Sequence, residues 1–550
     1  MSWRSTHAAE RRAPDTRRVA VIDLGSNSWR LVVFSYGAPT TPLGAAPGSW
    51  WKRTDELHET VRIGAGLAAS GRLGLEAMER GLETLAVFER FCLAAGLGPG
   101  DVHAVATSAI RDASNRQPFL SAARATVAFP IEVLSAQDEA RYGYVAAINT
   151  STMTDGVVLD LGGGSMQLVE VSGRRARELT SFPLGAVRLT EQFLSGAGSD
   201  GPVGKKELGR VRTHARAALA GVAWLPESGP RLVGVGGAVR NLAAAAQRTT
   251  DGIDLGVQGF VITRDALSEL VRALAALPPS ERGSVPGIKP GRGDVILAAA
   301  LVIETVLELG GFDGLEATEA GLRDGVFLSR TLLAGREPLL DDVRGAAVRN
   351  LAVQYESDLA HVEHVALLSL QMFDSLVAGR GRLFEPAPGE RELLWAAAML
   401  HDVGMTISYD DHHKHSRYLI LSAELPGFDP RERALIAQIS RYHRKGAPKL
   451  GELTVFSRKG DENLLERCAV ILRLAEHLER GRDQSVSGAR LRANGHGVDL
   501  HLEASGDLTL ARWSVERYGD GEAFQRAFGR RLLIGGDRPT KQAEPEGRSR

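Results

Sequence analysis

The chain has 550 residues, too many for one hydrophobic core and enough for about three or four domains. Hydrophobic residues at 43% and charged residues at 24% describe an ordinary globular protein, and a net charge of −1 excludes a chain-wide footprint for nucleic acid or an acidic membrane surface. Any anion site must therefore be local. No apolar run approaches the roughly 20 residues of a membrane span. The two cysteines, Cys92 and Cys468, lie in apolar helical stretches and read as core residues of a cytoplasmic protein in a reducing compartment.

The first 18 residues carry five arginines with no apolar segment behind them, which reads as a flexible arm (1–17) and not as a signal peptide. "VAVIDLGSNSWRLVVFSYG" (19–37) comes next: two apolar strands interrupted by Asp23 and a small polar turn. "EAMERGLETLAVFERFCLAAGL" has helical spacing, "VHAVATSAI" is a strand ending in small polar residues, and "IEVLSAQDEARYGYVAA" is a strand, a turn and a helix. Near residue 157 the opening pattern returns as "GVVLDLGGGSMQLVEV", so residues 156–172 repeat 19–37. "LVGVGGAVRNLAAAA" is a strand, a double glycine and a helix start, and "GDVILAAALVIETVLELGG" is a long helix. From about residue 335 nearly every segment has helical spacing, up to "ILRLAEHLERGRD". After 486, "RLRANGHGVDLHLEASGDLTLARWSV" alternates like short strands and "EAFQRAFGRRLLI" closes with a helix; the last residues read as a disordered tail. The expected division is an arm (1–17), a first α/β lobe (18–150), a second (151–334), a helical domain (335–485), a small α+β appendix (486–535) and a tail (536–550).

A strand–turn–strand whose turn is rich in Gly, Ser and Asn exposes backbone N–H groups in a concave nest that suits phosphate oxygens. Gly25, Ser26, Asn27 and Ser28 form one such turn, Gly162, Gly163, Gly164 and Ser165 a second, and Gly236 and Gly237 a third glycine loop. A hairpin explains any one of them; two with a strand-end carboxylate, and a third loop besides, point to a nucleotide or polyphosphate cleft. A carboxylate at the mouth would repel phosphate directly. Asp23 and Asp160 are therefore candidates to hold a divalent cation, with Asp160 preferred for Mg²⁺.

"DLGSNS" (23–28), "ATSAIRDASN" (106–115), "IEVLSAQDEAR" (131–141), "DLGGGS" (160–165), "FPLGAVRLTEQF" (182–193), "GVGGAVRNLA" (234–243) and "GLRDGVFL" (321–328) resemble, in this order, the exopolyphosphatase/guanosine pentaphosphate phosphohydrolase family. The likeness continues through "LHDVGMTISYDDHHKHSRYLI" and "RYHRKGAPK", over roughly residues 19–535, as in the long form with a C-terminal HD-like domain. It implies two ribonuclease-H-like lobes of the actin/sugar-kinase superfamily around a phosphate cleft. It also implies a homodimer without nucleic-acid or membrane partners, and Mg²⁺-dependent release of terminal phosphate from inorganic polyphosphate. Guanosine pentaphosphate is the alternative substrate, and a weakly catalytic or non-catalytic polyphosphate or alarmone regulator the second alternative.

By the same resemblance Glu139 is the carboxylate that orients and deprotonates the attacking water; from the residues alone Asp138 and Glu139 both suit a helix N-terminus. Arg111 is the phosphate-binding, charge-spreading guanidinium, with a surface salt bridge as its plain reading. The family usually has Glu seven residues after the Asp of the second loop, where this chain has Gln167. In the helical part His361, His401 and Asp402 are similar to the metal ligands of HD phosphohydrolases. The last acid falls at Glu476, where Asp is usual, and His412, His413 and His415 lie nearby. Two readings stand there: a second divalent-metal site, or a vestigial platform whose basic stretches "HHKHSR" and "RYHRK" line a polyphosphate channel.

Overall fold

The computed structural model describes residues 16–37, 50–195, 201–248, 255–378, 382–519 and 521–534. The expected arm lies outside the described residues except for Thr16 and Arg17, which open the first strand; the expected tail lies outside them too. Two compact units are present. The first runs to Asn350 and includes Glu424–Pro430; the second comprises Leu351–Ala423 and the chain from Arg431.

The first unit holds two mixed sheets. In the first, β1 (Thr16–Leu24) pairs antiparallel with β2 (Trp29–Gly37), which pairs with β3 (Trp51–Glu59). On its other side β1 lies parallel to β4 (Val102–Ala106), and β4 parallel to β5 (Ile131–Val133), giving the order β3-β2-β1-β4-β5. The second sheet repeats the scheme. β6 (Gly156–Leu161) is flanked by antiparallel β7 (Met166–Ser172) and, beyond it, β8 (Arg175–Phe182). Parallel to β6 run β9 (Arg231–Val235) and then β11 (Gly314–Ala317), with β10 (Val261–Thr263) antiparallel at the edge. The duplication expected from 19–37 and 156–172 is thus a duplication of topology.

The helices that position the site and its supports are α1 (Leu75–Ala94), α2 (Ser108–Asp112), α3 (Ala136–Ile148), α4 (Gly237–Arg248), α5 (Ile296–Gly310) and α6 (Leu322–Phe327). β1 and β6 read as near-continuous apolar runs because both faces are covered. Strand parity sorts their side chains. Ala20, Ile22 and Leu24 enter one core, with Phe88 of α1 and Phe119. Val19 and Val21 enter a middle core that also receives Val158 of β6, Val169 and Val171 of β7, and Tyr144 and Val145 of α3. Asp23 has the parity of Val21, and Asp160 that of Val158. The two carboxylates therefore continue, at the strand ends, the faces that share this middle core. Trp29 is fully buried and its indole N–H donates to the Gly25 carbonyl at 3.1 Å, which braces the first loop from behind. Loss of a buried ring of this size costs about 3–5 kcal/mol.

Glu424–Pro430 packs as part of the first unit. The Gly427 N–H donates to the Thr150 carbonyl at 3.0 Å, Arg344 Nε to the Gly427 carbonyl at 2.9 Å, and the Arg344 guanidinium lies 4.6 Å from the centre of the buried Phe428 ring.

The second unit is mostly helical: α7 (Leu359–Val377), α8 (Glu390–Leu400), α9 (His412–Ser422), α10 (Pro430–Arg441) and α11 (Asp461–Leu478). It ends in a three-stranded sheet, β12 (Val486–Ala493), β13 (Val498–Ala504) and β14 (Leu532–Ile534), with α12 (Thr509–Tyr518) and α13 (Gly521–Phe528). The strand-like reading of "DLTLARWSV" is corrected here. Ala511, Ser514 and Val515 are its buried residues, at the i, i+3, i+4 spacing of a helix face. Among the described residues no helix is long and apolar enough to cross a membrane. Cys92 and Cys468 are buried and form no disulfide.

Candidate active site

The three glycine loops meet at the C-terminal ends of β1, β6 and β9, where parallel strands characteristically present a ligand crevice. They border an open cleft lined by Asp23, Gly25, Ser26, Asn27, Ser28, Glu139, Asp160, Gly162, Gly163, Gly236 and Gly237. Gly164 turns toward an adjoining hollow, and Ser165 lies buried behind Glu139, its Oγ donating to Glu139 Oε1 at 3.4 Å. Two glycines are there for geometric reasons. Gly236 has φ +113°, and a Cβ on it would sit 2.6 Å from the Leu161 carbonyl oxygen; a Cβ on Gly237 would meet the Arg292 guanidinium at 2.3 Å.

Asp138 and Glu139, equivalent in sequence, part company in space. Asp138 is exposed and engages the Ser135 cap of α3: its N–H donates to Ser135 Oγ at 3.0 Å, and that hydroxyl donates to the Asp138 carboxylate at 2.6 Å. Glu139 is buried and faces the cleft. Arg111, on α2, does not line the cleft. Its Nη1 donates to Glu139 Oε2 at 2.6 Å and to the Leu134 carbonyl at 3.3 Å, so its contacts orient Glu139.

Three carboxylates thus share one cleft. Burial raises Asp160 to about 7, and the charges of Glu139 and Asp23 add to the effect. Burial likewise raises Glu139, opposed by Arg111, and raises Asp23, opposed by Arg323 at 3.4 Å. Asp160 has no ion-pair partner within 4.0 Å among the described residues. A crowded set of carboxylates, one of them unpaired, has the hard oxygen donors that a Mg²⁺ ion takes.

Facing them are four guanidinium groups that sequence reasoning did not single out: Arg30, Arg240, Arg292 and Arg323. Burial lowers Arg240 and Arg292 to about 10, and the charge of Arg323 pushes both, and Arg30, further down. Cations that repel one another in a crevice form a ready anion site. Arg30 had a signal in the sequence: it is a charge inside an apolar strand, directly opposite Asp23 in the β1–β2 register. By the same register Gln167 stands opposite Asp160, so Gln167 is the counterpart of Arg30 across the duplication. Gln167 is buried, its Nε2 donating to Ser165 Oγ at 2.9 Å and to Ser181 Oγ at 3.3 Å.

The second unit brings together the residues singled out there. His361 Nε2 and His401 Nε2 lie 3.1 and 3.2 Å from Glu476 Oε2, and 3.7 and 3.6 Å from the Asp402 carboxylate. Burial favours the neutral acid, yet His361 and His401 hold Glu476 well below the usual carboxylate range. His412 and His413 are buried as well, as is His443 of "RYHRK", whereas Lys414 and Lys445 of the same basic stretches are exposed.

Residues 52–334 match the family described as the Ppx/GppA phosphatase family, and residues 343–514 match Ppx/GppA phosphatase domain III. The chain belongs to the Ppx/GppA phosphatase family. It is 27% identical over 504 residues to a guanosine-5'-triphosphate,3'-diphosphate pyrophosphatase of Vibrio vulnificus, a match covering 90% of this chain and 95% of that one. An exopolyphosphatase from Cytophaga hutchinsonii shares its fold at a TM-score of 0.51 and 24% identity, over 59% of this chain and 100% of that one. A Ppx/GppA protein of Aquifex aeolicus is 28% identical, with a TM-score of 0.48, over 58% of this chain and all of that one.

In this Ppx/GppA protein the place of Asp160 depends on Gly143 of α3. A Cβ on Gly143 would fall 2.7 Å from Asp160 Oδ2. Gly143→Ala gains about 1 kcal/mol of helix propensity while displacing the carboxylate. The expected outcome is a melting temperature within a few degrees of the natural protein's and a loss of about tenfold or more in phosphate release, with a higher Mg²⁺ requirement. An unchanged Mg²⁺ titration curve would separate Asp160 from the ion.

Proposed function

We propose that the protein is an exopolyphosphatase: it transfers the terminal phosphoryl group of inorganic polyphosphate to water, releasing orthophosphate and a chain one unit shorter. The observation that carries this reading is Glu139, a buried carboxylate aimed into a cleft walled by four guanidinium groups. Its roles follow from position. The phosphate chain lies against Arg30, Arg240, Arg292 and Arg323, with loop N–H groups and the hydroxyls of Ser26 and Ser28 on its terminal oxygens. Glu139 orients a water toward the terminal phosphorus and accepts its proton, while Arg111 fixes the carboxylate and opposes the upward push of burial. Mg²⁺ held by Asp160, with Asp23 beside it, would supply charge neutralisation on the phosphate oxygens. Asp23 already has Arg323 as a partner, which leaves Asp160 the stronger candidate. In the helical unit we read His361, His401 and Asp402 as a second divalent-metal site in the HD manner.

A second reading keeps the chemistry and takes guanosine pentaphosphate as substrate. It is favoured by an open hollow that shares Ser26 and Asn27 with the cleft and continues past Arg62, Glu191 and Arg282, where a nucleoside would lie beside the phosphates. It also fits the name of the Vibrio vulnificus relative. Phosphate release from long-chain polyphosphate and from guanosine pentaphosphate, measured side by side with and without Mg²⁺, decides between them; release from neither removes both.

Glu139→Gln is expected to lower kcat by about 10²–10⁴ while leaving KM nearly unchanged, since the proton is accepted only in the transition state. Near-natural kcat would move the base elsewhere.

Asp160, raised to about 7, gives a pH signature. In the Mg²⁺-free protein the folded state holds this proton more tightly than the unfolded state, so that contribution to stability is complete at acid pH and is lost as pH rises through 7. Mg²⁺ competes with the proton and should raise the melting temperature at pH 8 far more than at pH 5. Equal shifts at both values would exclude Asp160 as the binding carboxylate.

Gln167→Glu places a carboxylate opposite Asp160. Mg²⁺ prefers charged oxygen to an amide, so half-maximal rate is expected at lower Mg²⁺. A folded variant with an unchanged or higher requirement would put Gln167 outside the ion's shell.

A further inference from the structure

Glu139 presents two carboxylate oxygens, and each is held from a different sheet. Arg111 of α2, the helix that follows β4 of the first sheet, donates to Oε2 at 2.6 Å. Ser165, at the end of the loop between β6 and β7 of the second sheet, donates its hydroxyl to Oε1 at 3.4 Å. A serine hydroxyl has one proton and two lone pairs, and an ionised carboxylate can only accept. The Ser165 proton is therefore committed to Glu139, and the Ser165 oxygen offers only lone pairs to whatever lies on its other side. The Gln167 amide lies there, with Nε2 donating to Ser165 Oγ at 2.9 Å. A donor chain thus runs from Gln167 through Ser165 to Glu139.

The sheet holds that amide in place. Gln167 lies directly opposite Ser181 of β8, and its Nε2 also donates to Ser181 Oγ at 3.3 Å. Two residues separate Ser165 from Gln167, so strand parity turns both side chains to the same face. Ser165, Gln167 and Glu139 are all buried. A hydrogen bond lost among them leaves a buried polar group unpaired and the carboxylate free to turn.

We infer that Gln167 is a positioning residue for the hydrolysis: by donating to Ser165 it turns the serine proton onto Glu139 and fixes the carboxylate oxygen that Arg111 does not hold. The inference rests on the reading of Glu139 as the base. It gives the amide a part that a carboxylate in its place cannot play. A glutamate at this position only accepts, so it draws the Ser165 proton to itself, and Glu139 Oε1 then faces an oxygen lone pair. This effect falls on turnover and is separate from the Mg²⁺ requirement.

The test is steady-state phosphate release from long-chain polyphosphate by the full-length protein at saturating Mg²⁺, where a change in ion affinity drops out. Gln167→Met keeps the length of the side chain without its donor, and Gln167→Glu keeps the shape and reverses the polarity. Both are expected to lower kcat about fivefold or more with KM within about twofold of natural, Gln167→Glu the more severely. Ser165→Ala should lose a similar factor, and Ser165→Thr, which keeps the hydroxyl, should recover most of it. The double variant Ser165→Ala/Gln167→Met should be no slower than Ser165→Ala alone, because the amide acts through the serine. Losses that multiply in the double variant overturn the inference. So does a natural kcat in folded Gln167→Met, or a loss confined to KM. Should Gln167→Met fail to fold, a natural kcat in Gln167→Glu overturns it equally. Glu139→Gln keeps the two levels apart: near-natural kcat there removes the base itself, whereas its full loss beside a natural kcat in Gln167→Met removes only the positioning role.

Discussion

Everything at the cleft turns on the opposition of three carboxylates, Asp23, Glu139 and Asp160, to four guanidinium groups, Arg30, Arg240, Arg292 and Arg323. Neither set is comfortable alone. Burial pushes all three acids toward neutrality, with neighbouring carboxylates adding to it at Asp160 and Glu139, and burial and the charge of Arg323 push Arg30, Arg240 and Arg292 down. Only the ion pairs Arg323–Asp23 and Arg111–Glu139 cancel charge on these acids among the described residues. What is left over is a site that wants an anion on one wall and a hard cation on the other. A phosphate group with a hard divalent cation would meet both, and the rest of the first unit can be read as scaffolding for that field.

The scaffolding is the legible part of the sequence. A strand-end Asp followed by a small-residue turn, met twice at the same spacing, announces the paired sheets, because a covered strand that stops for a carboxylate has few other uses. Glu139 stands out only with the help of family resemblance. Its neighbour Asp138 has the same local propensity, and what separates them is which face of α3 turns toward the cleft. Of the four arginines only Arg30, a charge inside an apolar strand, gives a signal of its own. Arg240, Arg292 and Arg323 each sit in a different segment and look ordinary there; only the tertiary fold sums the four into a patch. Residues 509–518 mislead because alternation over a few residues fits a strand and a short amphipathic helix alike.

The helical unit teaches the converse. There the sequence offers histidines in basic-looking stretches, and charge alone suggests a surface. The fold buries His412, His413 and His443 and leaves Lys414 outside on Asp411, so residues adjacent in sequence serve opposite environments. Helical period explains it: consecutive positions on α9 point about 100° apart, and only some of them turn into the core of the unit.

The short segment Glu424–Pro430 has a practical meaning for anyone who would express the hydrolytic half by itself. A fragment ending near residue 350 would omit the loop that supplies Phe428 beneath Arg344 and the Gly427 amide on Thr150. It would carry an aromatic-sized hole, with the Arg344 guanidinium deprived of its ring and the Thr150 carbonyl left with Gln258 Nε2 as a donor but without the Gly427 amide. The modules of this chain are interleaved, and a single scissile point in the polypeptide cannot release the catalytic one intact.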